Sequence, residues 1–438
     1  MAADSVAVFR IVFGLVVAGS SLRFLLKGWV DTLYLAPAHH LTYVGFEWVQ
    51  PWPAPLMYAH MIGLAVLGLC IALGYHHRAA AVLFTVGFAY AELIDASLYL
   101  NHYWFVTLAA VLVAALPVHH RWSLDARRGR VAPSATVPAM TVWALRAQVA
   151  VVYVFAGLAK LNSEWLFDAL PMRIWLPDRA HLAVVGSLLE LPSTAFVLSW
   201  MGAAFDCTIV GWLLWRRSRP FAYVAVIAFH VATAMLFPEI GVFPWLMIGS
   251  TLVFFSPDWP TRLRTRLRLP ARRVGATNTP AAMCGPRLSR RVTVFLAAFA
   301  AVQVILPLRH LAYPGDVRWT DEGHYGSWRV MLTEKVGFLE FRVRHADTGQ
   351  EWLVEPILVL ADWQVRQAAV RPDLLHAAAH LVADYYRERD GRPVEVYADS
   401  WVSFMGRRAQ RMVDPNVDLA AQPRTLLPQS WILPLEPG

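Results

Sequence analysis

The sequence predicts a polytopic α-helical membrane bundle, about nine transmembrane helices with the N-terminus inside, followed by an extracytoplasmic β-rich α+β domain. Three observations predict it. The chain of 438 residues is 57% hydrophobic and only 16% charged, whereas soluble domains run nearer one-quarter charged. Its apolar residues gather in runs long enough to cross a hydrocarbon core of about 30 Å. Its arginines cluster in alternate loops between those runs, which is the positive-inside asymmetry.

The spans follow in order. The first, 6–26, lacks the basic flank of a cleaved signal and reads as a retained helix. The second and third, 56–73 and 79–99, are separated by a loop with Arg78. The fourth, 102–117, is short and precedes Arg121, Arg127, Arg128 and Arg130. The fifth, 141–160, ends on a lysine. Spans 194–214 and 220–237 flank Arg216, Arg217 and Arg219. The eighth, 242–256, is short again. A basic inside loop of about 257–292, containing TRLRTRLRLPARR, leads to the ninth span at 293–308. The opposite loops hold little beyond Lys27, Lys160, Arg173 and Arg179, so the C-terminal region is expected outside the cytoplasm. This division gives a transmembrane domain over 1–308 and a soluble domain over 309–438. The net charge of +8 follows from this loop pattern, and no nucleic-acid partner is expected. Cys70, Cys207 and Cys284 form neither a CxxC pair nor a disulfide framework.

In the soluble part, SWRVML and FLEFRVRHADTGQEWLVEP read as strands, with Asp347-Thr348-Gly349 as a hairpin turn. RPDLLHAAAHLVADYYRERDG reads as a helix, with Pro372 in its first turn and Gly391 just beyond its end. VEVYADSWVSF, then Gly406 and AQRMVDP, suggest a second hairpin.

Chemistry-bearing residues converge on one end of the bundle. The chain has three lysines against many arginines, and Lys160 closes the apolar run before LNSEW. Snorkelling would account for a cation there, but arginine serves that purpose equally well. Only lysine can give up its proton under accessible conditions, which points to a base. Glu92 and Asp95 stand at i, i+3 in the third span, predicting one shared helix face. Asp206 is mid-span in the sixth and reads as a structural acid, with Arg146 an available partner. His102 lies at the outer end between spans and His230 within the seventh. His376 and His380 have ligand spacing, yet no glutamate and no third ligand accompany them, so a helix face is expected and no metal. By rise along the helices, an acid, a base and histidines are placed to line one outward-facing pocket.

These motifs resemble a known family. WALRAQVAVVYVFAGLAKLNSEWL, NHYWF, PVHHRWSLDA and FHVATAMLFPEIGVFPWLMIGSTLVFFSPDWP are similar to stretches of the vitamin K-dependent gamma-carboxylases. Their bacterial relatives, the horizontally transferred transmembrane (HTTM) domain proteins, share the pattern. In the soluble part LRHLAYPGDVRWTDEGHYGSWRVML, TGQEWLVEP, RPDLLHAAAHLV, VEVYADSWVSFMGR and VDPNVDLA continue the resemblance, which covers nearly the whole chain. It implies a coupled reaction. A lysine deprotonates a reduced vitamin K or menaquinol, O2 attacks, and the resulting base removes a glutamate γ-proton. The quinone leaves as its epoxide, CO2 adds to the carbanion, and no metal takes part. The matching lysine is Lys160, and His102 matches the histidine that assists oxygenation. Asn101, Asn162, Trp165, His230, Phe243 and Trp245 fall in the matched motifs and are expected, with Glu92 and Asp95, to line the quinone pocket.

The implied partners are the lipid bilayer, the quinone and a glutamate-containing peptide or protein on the extracytoplasmic side of a bacterial plasma membrane. The chain departs from the animal members in two respects. They carry two adjacent lysines where this chain has Ala159-Lys160, and their cysteine pair has no counterpart. A menaquinol epoxidase or small-molecule carboxylase is the second reading, and a non-catalytic membrane binding or transport module the third. Retention of both Lys160 and His102 argues against the third.

Overall fold

The computed structural model describes residues 1–268 and 287–436. All nine apolar runs contain helix. The main helices are α1 (Asp4–Leu26), α2 (Ala54–Leu73), α3 (His77–Leu93), α4 (Asn101–Ala115) and α5 (Ala139–Ala159). A short α6 (Ser163–Phe167) precedes α7 (Pro192–Leu214), α8 (Arg219–Leu236), α9 (Phe243–Thr251) and α10 (Arg290–Leu308). Six of these, α1, α2, α5, α7, α8 and α10, are long and apolar enough to cross a membrane, and Asn101–Ala115 and Phe243–Phe254 are shorter apolar helices. Their outward side chains include Leu26 and Phe221, each 77% exposed, as contact with lipid requires.

Small residues and capping set the packing. A Cβ on Gly14 of α1 would stand 2.4 Å from the Ala72 nitrogen, so α1 and α2 approach backbone to backbone. Two buried arginines satisfy carbonyls that helix ends leave open. Arg10 donates to the Ile71 and Ala72 carbonyls at 2.7 and 2.5 Å and to Trp122 at 2.9 Å. Arg146 donates to the carbonyls of Val253, Phe254 and Phe255 at 2.9, 3.3 and 3.0 Å. It is therefore a helix cap and not the partner of an intramembrane acid.

The third helix stops earlier than its hydropathy predicts. Asp95 leaves helical geometry (φ −144°, ψ 115°) and caps a 3-10 turn at Ala96–Leu98 by accepting from the Ser97 N–H. Glu92 and Asp95 consequently do not share a helix face.

The C-terminal domain carries a four-stranded antiparallel sheet in the order β2-β1-β3-β4: β1 Lys335–His345, β2 Glu351–Val354, β3 Val394–Phe404 and β4 Gln410–Arg411. Gly349, at φ +68°, turns the first hairpin as its sequence predicts. Helices α11 (Asp362–Ala368) and α12 (Pro372–Asp390) join it, and Gly391 ends α12 in the left-handed conformation. The expected strand SWRVML does not form. Trp328 takes φ +58° and buries its indole in the bundle's core, so pairing begins only at Lys335. The basic loop of 257–292 starts with a helix at Trp259–Arg266, and much of the remainder lies outside the described residues.

Candidate active site

One face of α5 carries Val149, Tyr153, Ala156 and Lys160, at i, i+4, i+7 and i+11, all buried. Lys160 is the residue on which α5 ends, and it is only 6% exposed. Its ammonium donates to Asp206 Oδ2 of α7 at 2.9 Å and to the Ala156 carbonyl at 3.3 Å. The nitrogen also lies 5.2 Å from the centre of the Trp165 ring. Gly157 makes this reach possible. A Cβ there would be 2.8 Å from the Cys207 nitrogen and 2.9 Å from the Asp206 carbonyl carbon, so α5 and α7 cross in backbone contact beside the ion pair.

The segment after Lys160 is fixed from both sides. Asn162 caps α6 by accepting from the Trp165 N–H at 3.0 Å, which turns the indole back toward the amine. The Trp165 Nε1–H donates to the Ser199 carbonyl of α7 at 2.8 Å, and the Ser199 hydroxyl returns a bond to the Trp165 carbonyl at 2.5 Å. Glu164 is buried and accepts from two guanidinium groups of the C-terminal domain, Arg318 and, at 2.7 Å, Arg407. Arg318 also donates to Asp316. Burial raises the Asp316 carboxyl, but that guanidinium holds it below the usual carboxylate range overall.

A second group lies deeper. Tyr153 is seven residues before Lys160, about 10 Å along the helix. Its hydroxyl is 2.9 Å from His230 Nε2 of α8. His230 packs on Phe243 at 5.7 Å between ring centres, and Phe243 packs on His102 at 5.9 Å. Phe205, the neighbour of Asp206, touches both Tyr153 and His230, at 5.7 and 6.3 Å. A continuous path therefore runs from Lys160 through Asp206, Phe205, Tyr153, His230 and Phe243 to His102. Lys160 and His102 do not meet directly.

Among the other expected pocket residues, Asn101 opens α4 and accepts from the Tyr99 hydroxyl at 3.2 Å. Glu92 accepts from the Thr107 hydroxyl. Asp95 binds His40 Nδ1 at 3.1 Å and accepts from Gln364 of α11 at 2.7 Å, which makes it a joint between bundle and domain. Trp245 is 54% exposed and stands apart from the histidines. His376 and His380 share the Gln422 carbonyl, at 3.2 and 3.0 Å. Asp206 as the lysine's partner, Tyr153, Glu164 and Ser199 went unrecognised in the sequence. Tyr153 had a signal, because its i−7 spacing puts it on the lysine's face. The others required knowledge of which helices cross.

This arrangement suits proton uptake from a weak organic acid: an amine backed by a carboxylate and an indole, with little water at hand. It also suits a quinone ring. Among the described residues, His230 Nδ1 is buried without a partner, free to engage a ring oxygen.

A helical membrane domain of this kind defines a class, and the comparisons identify it: residues 1–259 match the HTTM domain, more than half of the chain. Residues 288–437 match the lumenal domain of vitamin K-dependent gamma-carboxylase. The chain belongs to the vitamin K-dependent gamma-carboxylase family. No solved structure matches it.

Proposed function

We propose that this chain deprotonates a reduced naphthoquinone at Lys160 and couples its epoxidation, with O2, to carboxylation of a glutamyl side chain with CO2. The single observation that carries this reading is Lys160 itself, in the AGLAKLN motif and buried 2.9 Å from Asp206 Oδ2. Reduced vitamin K or menaquinol, once oxygenated, supplies a base strong enough to take the γ-proton. The chain's own residues do the rest. In its unprotonated form the Lys160 amine accepts the hydroxyl proton of the quinol, and the ammonium so formed pairs with the Asp206 carboxylate, the ion pair described above. Trp165 and Ala156 keep the nitrogen aimed and water away. His102 and His230 flank Phe243, a setting for the quinone head, with His230 Nδ1 as its available polar contact. The domain side of the bundle is the extracytoplasmic side in this reading, and a glutamyl peptide approaches from there.

The test supplies the purified protein with reduced naphthoquinone, O2, labelled bicarbonate and a glutamyl peptide. Quinone epoxide together with fixed label is expected. Epoxide without fixed label would assign epoxidation alone. No epoxide, or full activity in Lys160→Ala, would reject the proposal.

A further inference from the structure

Beside the lysine cluster, a cavity of about 300 Å³ opens between the domain-facing ends of α5 and α10. Leu158 and Ala159 of α5 form one wall and Leu308 and Leu311 the other, with Arg329 at the polar end. The rim is apolar and open: Leu158, Leu308 and Leu311 are 53%, 39% and 73% exposed, at the level where the helices would meet lipid. Arg318 also reaches the cavity, but Asp316 and Glu164 already satisfy it. Arg329 differs, having no hydrogen bond or ion pair among the described residues. Burial holds its guanidinium below the ordinary value, an effect that Asp321 and Asp316 offset only in part. A guanidinium without a protein partner above an apolar, laterally open slot fits an amphiphile whose head offers oxygen acceptors. Packed side chains lie between the cavity and the amine. Ala159 and Leu332 of its wall pack in one cluster with Trp165, whose ring lies 5.2 Å from Lys160 Nζ.

We infer that this cavity is the lateral port through which a bilayer quinol reaches Lys160, Arg329 donating to an oxygen of its ring while the tail stays in lipid. The inference rests on the functional reading above. An acidic phospholipid has related chemistry, but its phosphate would call for several cationic donors, and Arg329 is the one guanidinium without a protein partner among the described lining residues. The position beside Ala159, the residue before the base, favours the quinol.

The full chain in lipid nanodiscs tests this by binding, without turnover. A benzophenone side chain placed at position 311 is expected to form adducts with labelled phylloquinone, suppressed by excess unlabelled quinone. Arg329→Gln and Leu158→Trp are each expected to weaken phylloquinone binding about tenfold. Wild-type affinity in both variants, or adducts confined to labelled phosphatidylglycerol, would overturn the port. If phylloquinone binds as expected but the wild-type protein neither forms epoxide nor fixes label, the functional reading fails and the port stands. If epoxide forms with an unchanged quinol KM in both variants, the port fails alone.

Discussion

Arg146 and Lys160 are both buried cations on α5, and they do different work. Arg146 fans its guanidinium over three carbonyls that a helix end leaves open, a task suited to a rigid, permanently charged fork. Lys160 meets one carboxylate and one carbonyl with a compact head that is able to lose its proton. Lys160→Arg should therefore keep the charge and the pairing with Asp206 yet lose quinol-dependent epoxide formation by about 10²–10⁴-fold, close to Lys160→Ala. Asp206→Asn keeps the shape and removes the counter-charge. It should lower kcat for epoxide formation by about tenfold or more, with little change in quinone binding. Measured rates of the three purified variants decide both points. Wild-type turnover in Lys160→Arg would show that the residue acts only as a charge.

At the scale of elements, the site is a product of one helix crossing. Gly157→Ala gains intrinsic helix propensity of about 1 kcal/mol, but its methyl group meets backbone atoms of α7 at 2.8 and 2.9 Å. The helices must then separate, so the variant should lose activity and thermal stability together, and Gly157→Leu should lose more of both. A stabilised, active Gly157→Ala would contradict the crossing. Much of the element list was legible: each apolar run contains helix, the Asp347-Thr348-Gly349 turn sets the first hairpin, and Pro372 and Gly391 bracket α12. The crossing was not, because Lys160 and Asp206 are separated by 46 positions and spacing within a span carries no information between spans. The available hint was Gly157, a small residue one turn before the lysine. Asp95 and Trp328 misled for a related reason: each reads locally as part of a helix or strand, and each is drawn out of it by a partner from the other half of the molecule. The C-terminal domain adds a pH dependence. Burial, with the neighbouring His380 ring, pushes His376 down to about 4, and burial with Arg371 does the same to His324. The unfolded imidazoles take up protons near their ordinary 6.5, the native ones only near 4. Stability should therefore fall as pH drops through that window, by at most about 1.4 kcal/mol per pH unit for each group. Thermal melts of wild type and His376→Phe across pH 7 to 4 check it, and a wild-type melting temperature that stays flat would refute it.

For the whole molecule, the decisive contacts join bundle to domain. Glu164, four residues after the lysine, is gripped by Arg318 and Arg407, while Asp95 holds Gln364. Glu164→Gln leaves two guanidinium groups without their shared carboxylate and should destabilise the protein by about 3 kcal/mol while displacing Trp165 and lowering activity. Arg407→Gln should cost less, since that side chain is 33% exposed and Arg318 remains in place. Thermal unfolding of both variants ranks them, and equal losses would count against this account. Asp206 and Ser199 hold the amine and its indole from within the bundle, but among the described residues Glu164 has its charged partners only on the far side of the seam. That arrangement limits how the two modules are inherited. A gene fusion joining this bundle to an unrelated domain would strand a buried carboxylate next to the reactive residue. Position 164 and the two arginines must therefore travel together whenever such genes recombine.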